Sequence, residues 1–187
     1  MTVLTAIDLE RTYNVEEFMD LPDDGKLYEL VEGKLFEMSQ PGDEHGRVSD
    51  NLYSYLSRFV RQNKLGRLNL PTGFRLGGRT VRAPDVGFVT ASRVPPVSRK
   101  AVAVPPDLAV EVISPTDVWS EIVDKNSQYQ QAGVPLVWLL DPYSQVVFVY
   151  RLSSGLVPQI LGPQADLNGE NIVPGFKLKV SNLFEYE

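Results

Sequence analysis

The chain has 187 residues, 43% of them hydrophobic, and a formal net charge of −6 at pH 7. That length suits one domain with a full apolar core, and the absence of cysteine excludes disulfides, thiol catalysis and zinc–thiolate sites. The longest apolar stretch, VPLVWLL at 134–140, is far too short to span a bilayer, and the start MTVLTAIDLERTYN shows no leader-like apolar run, so a soluble cytoplasmic protein is expected.

The segment YNVEEFMDLP predicts a short helix, with Asn14 as N-cap, two acids in the first turn and Pro22 beyond its end. In LYELVEGKLFEMS, two short alternating runs flank VEGK, which predicts a hairpin of 27–31 with 34–38. Val48, Leu52, Tyr55, Leu56, Phe59 and Val60 recur at helical spacing and predict a long helix over 44–64, closed by Gly66. RLNLPTGFRL and VRAPDVGFVT are expected as two strands joined by the GGR turn into a hairpin. VPPVSRKAVAVPP reads as a proline-rich surface loop.

DLAVEVIS is a further strand, and SPTDVWSEIVDKNSQYQQAG a second long helix with Ser114 or Thr116 as its cap. LVWLL and VVFVYR are strands joined at DPYSQ, and short strands follow in LVPQIL and FKLKV. The order predicts a single α/β (α+β) domain over 1–187: a mixed central sheet flanked by helices, with a core at about 14–152 and a strand extension at 153–187.

Charge is unevenly spread. From Arg58 to Lys100 there are ten basic residues and one acid, Asp85, so the window carries +9 and the rest of the chain −15. A positive face able to hold phosphates is one consequence, and a solvated surface over which folding scatters these side chains is the other.

Two acids stand in apolar strand patterns. In LAVEVIS, Leu108, Val110 and Val112 face one way, and Ala109, Glu111 and Ile113 the other. Both sides are apolar, so Glu111 is expected to be partly buried. Asp85 shares its face with Gly87 and Val89, and Gly87 leaves room beside it. Buried carboxylates must be paired or hold a metal. Arg75 and Arg82 are the candidate partners, and a hard divalent cation between the acids is the other solution. In the following helix, Val118, Ile122, Lys125 and Tyr129 form one stripe, which aims Lys125 at the sheet. Two acids, a lysine and one cation make a phosphodiester-hydrolysing site. A carboxylate pair of the glycosidase kind is disfavoured, because only Phe74 and Phe88 stand near in sequence as sugar platforms.

Pro84-Asp85 followed, 26 residues after Asp85, by Glu111-Val112-Ile113 resembles the PD-(D/E)XK nuclease superfamily. Its usual lysine position holds Ile113 here, and some branches move that lysine to the next helix, where Lys125 stands. YELVEGKL, EHGRV, VRAPDVGFV, DLAVEVISP and DKNSQYQQAGVPLVWLLDP resemble one branch, the Uma-type restriction endonucleases. The resemblance implies a restriction-endonuclease-like fold, DNA as substrate, Mg²⁺ or Mn²⁺ as cofactor and a homodimer. It also implies Asp85, Glu111 and the carbonyl of Val112 as metal ligands, with Lys125 as the displaced catalytic lysine. Glu29, Glu32 and His45 are candidates for a further site residue, although a hairpin and a helix start would ordinarily leave all three in water. The alternative is a nuclease fold that has lost its chemistry and serves as a binding module.

Overall fold

The structure is a computed structural model that describes residues 7–97 and 100–186. Arg99 of the basic window, and residues 1–6 of the stretch read for a leader, lie outside the described residues.

The first helix, α1 (Val15–Met19), starts at Asn14 with a complete capping box: Asn14 accepts from the Glu17 amide, and Glu17 accepts from the Asn14 amide. The hairpin β1 (Tyr28–Val31) and β2 (Lys34–Glu37) follows. The long helix α2 (Asp43–Asn63) buries Val48, Leu52, Leu56 and Val60 and ends with Lys64 at φ 53°. Tyr55, expected on that stripe, is exposed instead.

The two runs read as single strands are each broken in two. RLNLPTGFRL gives β3 (Gly66–Asn69) and β4 (Phe74–Gly77), and VRAPDVGFVT falls into β5 (Thr80–Arg82) and β6 (Val86–Thr90). The expected GGR hairpin forms, but only between β4 and β5, whereas β3 pairs with β6. Pro71 and Pro84 stand at the two breaks. Neither has an amide to give to a ladder, so the chain leaves one sheet there and enters another.

The remaining elements are β7 (Leu108–Val112), α3 (Trp119–Gln131), β8 (Leu136–Asp141), β9 (Val146–Arg151), β10 (Gln159–Leu161), β11 (Asp166–Asn168) and β12 (Lys177–Lys179). Helix α3 starts later than predicted. Val118 is its exposed N-cap residue, and neither Ser114 nor Thr116 caps it. Asp117 instead closes a turn by accepting from the Ser114 amide.

The large sheet runs β10-β9-β8-β7-β6-β3 and is mixed: β7 and β8 are parallel, joined through α3, and the other neighbours are antiparallel. Leu108, Val110 and Val112 enter the cluster under α2, which Leu167, Phe176 and Leu183 of the C-terminal segment complete. Ala109 and Ile113 enter the opposite cluster with Phe74, Tyr129 and Leu139. The small sheet, β2-β1-β5-β4, packs Leu30, Leu35 and Val81 against Tyr13 and Val15.

Candidate active site

Each acid reaches the site by a different local device. Glu111 is the fourth residue of β7 and faces α3. Asp85 is not within a strand, as the sequence suggested, but in the bend just before β6. Its Oδ2 accepts the Val112 amide at 2.7 Å, so the bend is tied to the residue after Glu111. Gly87 does leave space, but the Phe74 ring fills it: a Cβ there would lie 2.3 Å from the ring. Phe74 and Phe88 are both fully buried and offer no surface to a ligand.

Lys125 points from α3 between two carboxylates. Its Nζ lies 2.9 Å from Glu111 Oε1, 3.0 Å from Glu111 Oε2 and 3.2 Å from Glu29 Oε1. Tyr129, one helical turn on, donates its hydroxyl to Glu111 Oε1 at 2.5 Å. Glu29 also accepts the Ala83 amide at 2.7 Å and Arg82 Nη1 at 2.5 Å, and Arg82 Nε donates to Gln128 Oε1 at 2.8 Å. Arg82 therefore pairs with Glu29, not with Asp85 or Glu111, and Arg75 pairs with Glu16 away from the site.

Sequence reasoning left Glu29, Glu32 and His45 as candidates in water. Glu29 is 6% exposed and inside the site. His45 also lines it, with Nε2 3.1 Å from Asp85 Oδ2, while its buried Nδ1 has no partner among the described residues. Glu32 stays exposed in the hairpin turn at φ 51°. Tyr129 and Gln128 were missed as site residues. Their signal was present for Tyr129, which follows Lys125 by one turn on the same helix face.

Glu29, His45, Arg82, Asp85, Glu111, Val112 and Lys125 line one cleft of about 630 Å³. Its electrostatics follow from burial and crowding. Burial pushes the Glu111 carboxyl up to about 7; Lys125 opposes this, and the charges of Asp85 and Glu29 add to it. Burial alone would lower the Lys125 ammonium, but Glu111 and Glu29 outweigh it and hold the group protonated well above its ordinary value. Burial raises Glu29, yet Lys125 and Arg82 bring it below the usual carboxylate range. For His45 burial works downward, and the contact with Asp85 raises it overall.

Among the described residues, no three His, Asp or Glu side chains form a ready-made cation cage. A magnesium site needs none, because that ion commonly takes one or two carboxylates and keeps several waters. Asp85 and Glu111 supply two such groups facing one cleft. Both contacts fall on Asp85 Oδ2, and no hydrogen bond from the described residues reaches Oδ1.

A mixed sheet between helices, with acids at the ends of its inner strands, defines a restriction-endonuclease-like α+β protein. The family described as "Putative restriction endonuclease", Uma2, matches residues 15–181, and the chain belongs to it. Among solved structures, a protein of Anabaena variabilis ATCC 29413 described as "a putative nuclease belonging to DUF820" has the same fold. The TM-score is 0.80 at 24% identity, over 91% of this chain and 97% of that one. No curated protein matches the chain. Among the described residues no helix is long and apolar enough to cross a membrane.

Proposed function

We propose that the protein is a nuclease that hydrolyses phosphodiester bonds of DNA with Mg²⁺ or Mn²⁺ held by Asp85, Glu111 and the Val112 carbonyl, and with Lys125 as its catalytic cation. Family membership supports the nuclease class. The observation that carries the rest is the meeting of two acids and one lysine in a single cleft, with Lys125 Nζ 2.9 Å from Glu111.

The divalent ion, when bound, polarises the phosphate and acidifies a water. The chain's own residues do the positioning. The Val112 amide and His45 fix one oxygen of Asp85 and leave the other for the ion. Tyr129 fixes one oxygen of Glu111. Because two carboxylates keep Lys125 protonated, it serves as a charge and a hydrogen-bond donor, not as a base. It stabilises negative charge developing on the phosphate or orients the attacking water. Glu29 shares Lys125 and binds Arg82, so its role is to position cations.

The family resemblance implies a homodimer, and the proposal includes one. A second reading, a binding module without chemistry, has one observation in its favour. Ile113, in the usual lysine position, packs into the apolar cluster, so β7 supplies no cation of its own. Purified protein should cut DNA with Mg²⁺ or Mn²⁺ and stop with EDTA, and Glu111→Ala should not cut. Binding without cutting under either ion would favour the second reading.

A further inference from the structure

The small sheet has two unlike faces. Leu30 and Leu35 bury one of them in the cluster with Tyr13 and Val15. The other carries Glu29 and Val31 of β1 and, opposite them, Phe36 of β2, and all three line the cleft together with Leu27. Glu29 and Phe36 are register partners, which places directly opposed side chains on the same face with Cβ atoms about 4.5–5.5 Å apart. Phe36 is nevertheless 52% exposed and Leu27 62% exposed. An open aromatic ring thus stands beside a carboxylate that itself touches the catalytic lysine.

We propose that this wall is a base-binding platform: the cleft takes DNA as an unstacked strand, with one nucleobase lying on Phe36 next to the scissile phosphate. The inference rests on the nuclease reading and adds the form of its substrate. Three observations support it.

The first is continuity. Phe36 adjoins Glu29, whose Oε1 is 3.2 Å from Lys125 Nζ, so the ring and the acids face the same space. A phosphate at the acids therefore brings its own or the neighbouring base to the ring. The second is size. The cleft of about 630 Å³ lies within the roughly 300–1,000 Å³ that encloses a small ligand. In a duplex, neighbouring base pairs cover both faces of each base, so a ring can meet one only when it is out of the stack.

The third is charge. Duplex binding leans on phosphate neutralisation. Here Arg75, Arg82, Arg93 and Lys100 of the basic window are ion-paired with Glu16, Glu29, Asp107 and Asp20. The chain as a whole is at −6. Four of the ten basic residues of the window are thus already paired, and stacking on an aromatic ring adds to what the exposed Arg58, Arg61 and Lys64 supply.

The experiment uses a single-stranded oligonucleotide containing 2-aminopurine, alone and annealed to its complement, titrated with the full chain in EDTA. The single strand should bind at least ~10-fold more tightly than the duplex, and 2-aminopurine emission should be quenched as the base stacks. Phe36→Ala should weaken single-strand binding by about 5- to 150-fold and abolish quenching, while Phe36→Trp keeps both. Thermal unfolding of the variants checks that the exposed position has not cost the fold. Equal binding of duplex and single strand, or a Phe36→Ala variant that binds and quenches like wild type, would overturn the platform. So would a Phe36→Ala variant whose only change is in oligomeric state. The two readings fail separately. A protein that never cuts yet shows Phe36-dependent quenching lacks the nuclease activity but has the platform. A protein whose metal-dependent cutting and binding ignore Phe36 is a nuclease without it.

Discussion

Replacing Glu111 by glutamine in the metal-free protein removes a charge from a place where burial and two neighbouring carboxylates oppose it. The folded-state carboxyl is pushed from an ordinary 4.5 up to about 7. That displacement corresponds to about 3 kcal/mol of preference for the neutral form. The sign follows from which state keeps the proton. Below 4.5 both folded and unfolded chains hold it. Between 4.5 and 7 only the folded chain does, so this group's contribution makes stability fall as pH rises through that window and then level off.

Glutamine does not titrate. It keeps an oxygen for the Tyr129 hydroxyl, and the charged contact with Lys125 that it lacks forms in the wild type only as Glu111 ionises, so the folded-state value of about 7 already includes it. Between pH 4.5 and 7 the wild type should therefore lose about 3 kcal/mol relative to Glu111→Gln. In melting temperature that is a relative change of roughly 6–12 °C for a chain of this size. Urea unfolding of both proteins in EDTA at pH 4.5, 5.5, 6.5 and 7.5 measures it. Stability curves that stay parallel across that range would refute the argument, because Glu111 would then be an acid stabilised by its partners and not one strained by them.

Lys125→Ala should slow cutting by about 10²-fold or more in a nuclease assay, as expected for a lost positioned charge. The same change leaves Glu111 without a cation while Glu29 keeps Arg82, so the metal-free variant should lose about 3–5 kcal/mol by urea unfolding above pH 7, where Glu111 is ionised, and regain part of it with Mg²⁺. Gly87→Ala should destabilise the fold by about 1–3 kcal/mol in the same assay, since its Cβ would meet the Phe74 ring at 2.3 Å. Arg58, Arg61 and Lys64 are exposed on and just beyond the last turns of α2. Changing all three to Ala should reduce the salt slope of DNA binding by at most about 2–3 in log–log units, measured by fluorescence titration.

The elements with local causes were legible in the sequence. Alternation in LAVEVIS separated Leu108, Val110 and Val112 from Ala109 and Glu111, and the two sets do enter opposite sides of the sheet. Helical spacing aimed Lys125 at Glu111. The departures have non-local causes. Glu29 looked like a hairpin surface residue because nothing in β1 announces that β5 pairs beside it. That pairing, Leu30 opposite Val81, is what brings Arg82 and the Ala83 amide onto Glu29.

His45 enters the site because α2 lies across the sheet, and a helix's own sequence does not state its direction. The sheet exchange at Pro71 and Pro84 had a local signal in the prolines themselves, and a strand reading that respected them would have broken both runs. The basic window shows the limit of counting charge along a chain. Its partners Glu16, Asp20, Glu29 and Asp107 lie outside it, and folding brings them to it.

The central claim is that Asp85 and Glu111 hold one divalent cation beside Lys125. A crystal structure grown with Mn²⁺ and read by its anomalous signal tests this directly. One Mn²⁺ should be bound by Asp85 and Glu111 oxygens, with the Val112 carbonyl and waters completing the shell and Lys125 still lining the cleft. A saturating Mn²⁺ concentration that leaves these two carboxylates without the ion, or that places it on other residues, would contradict the claim.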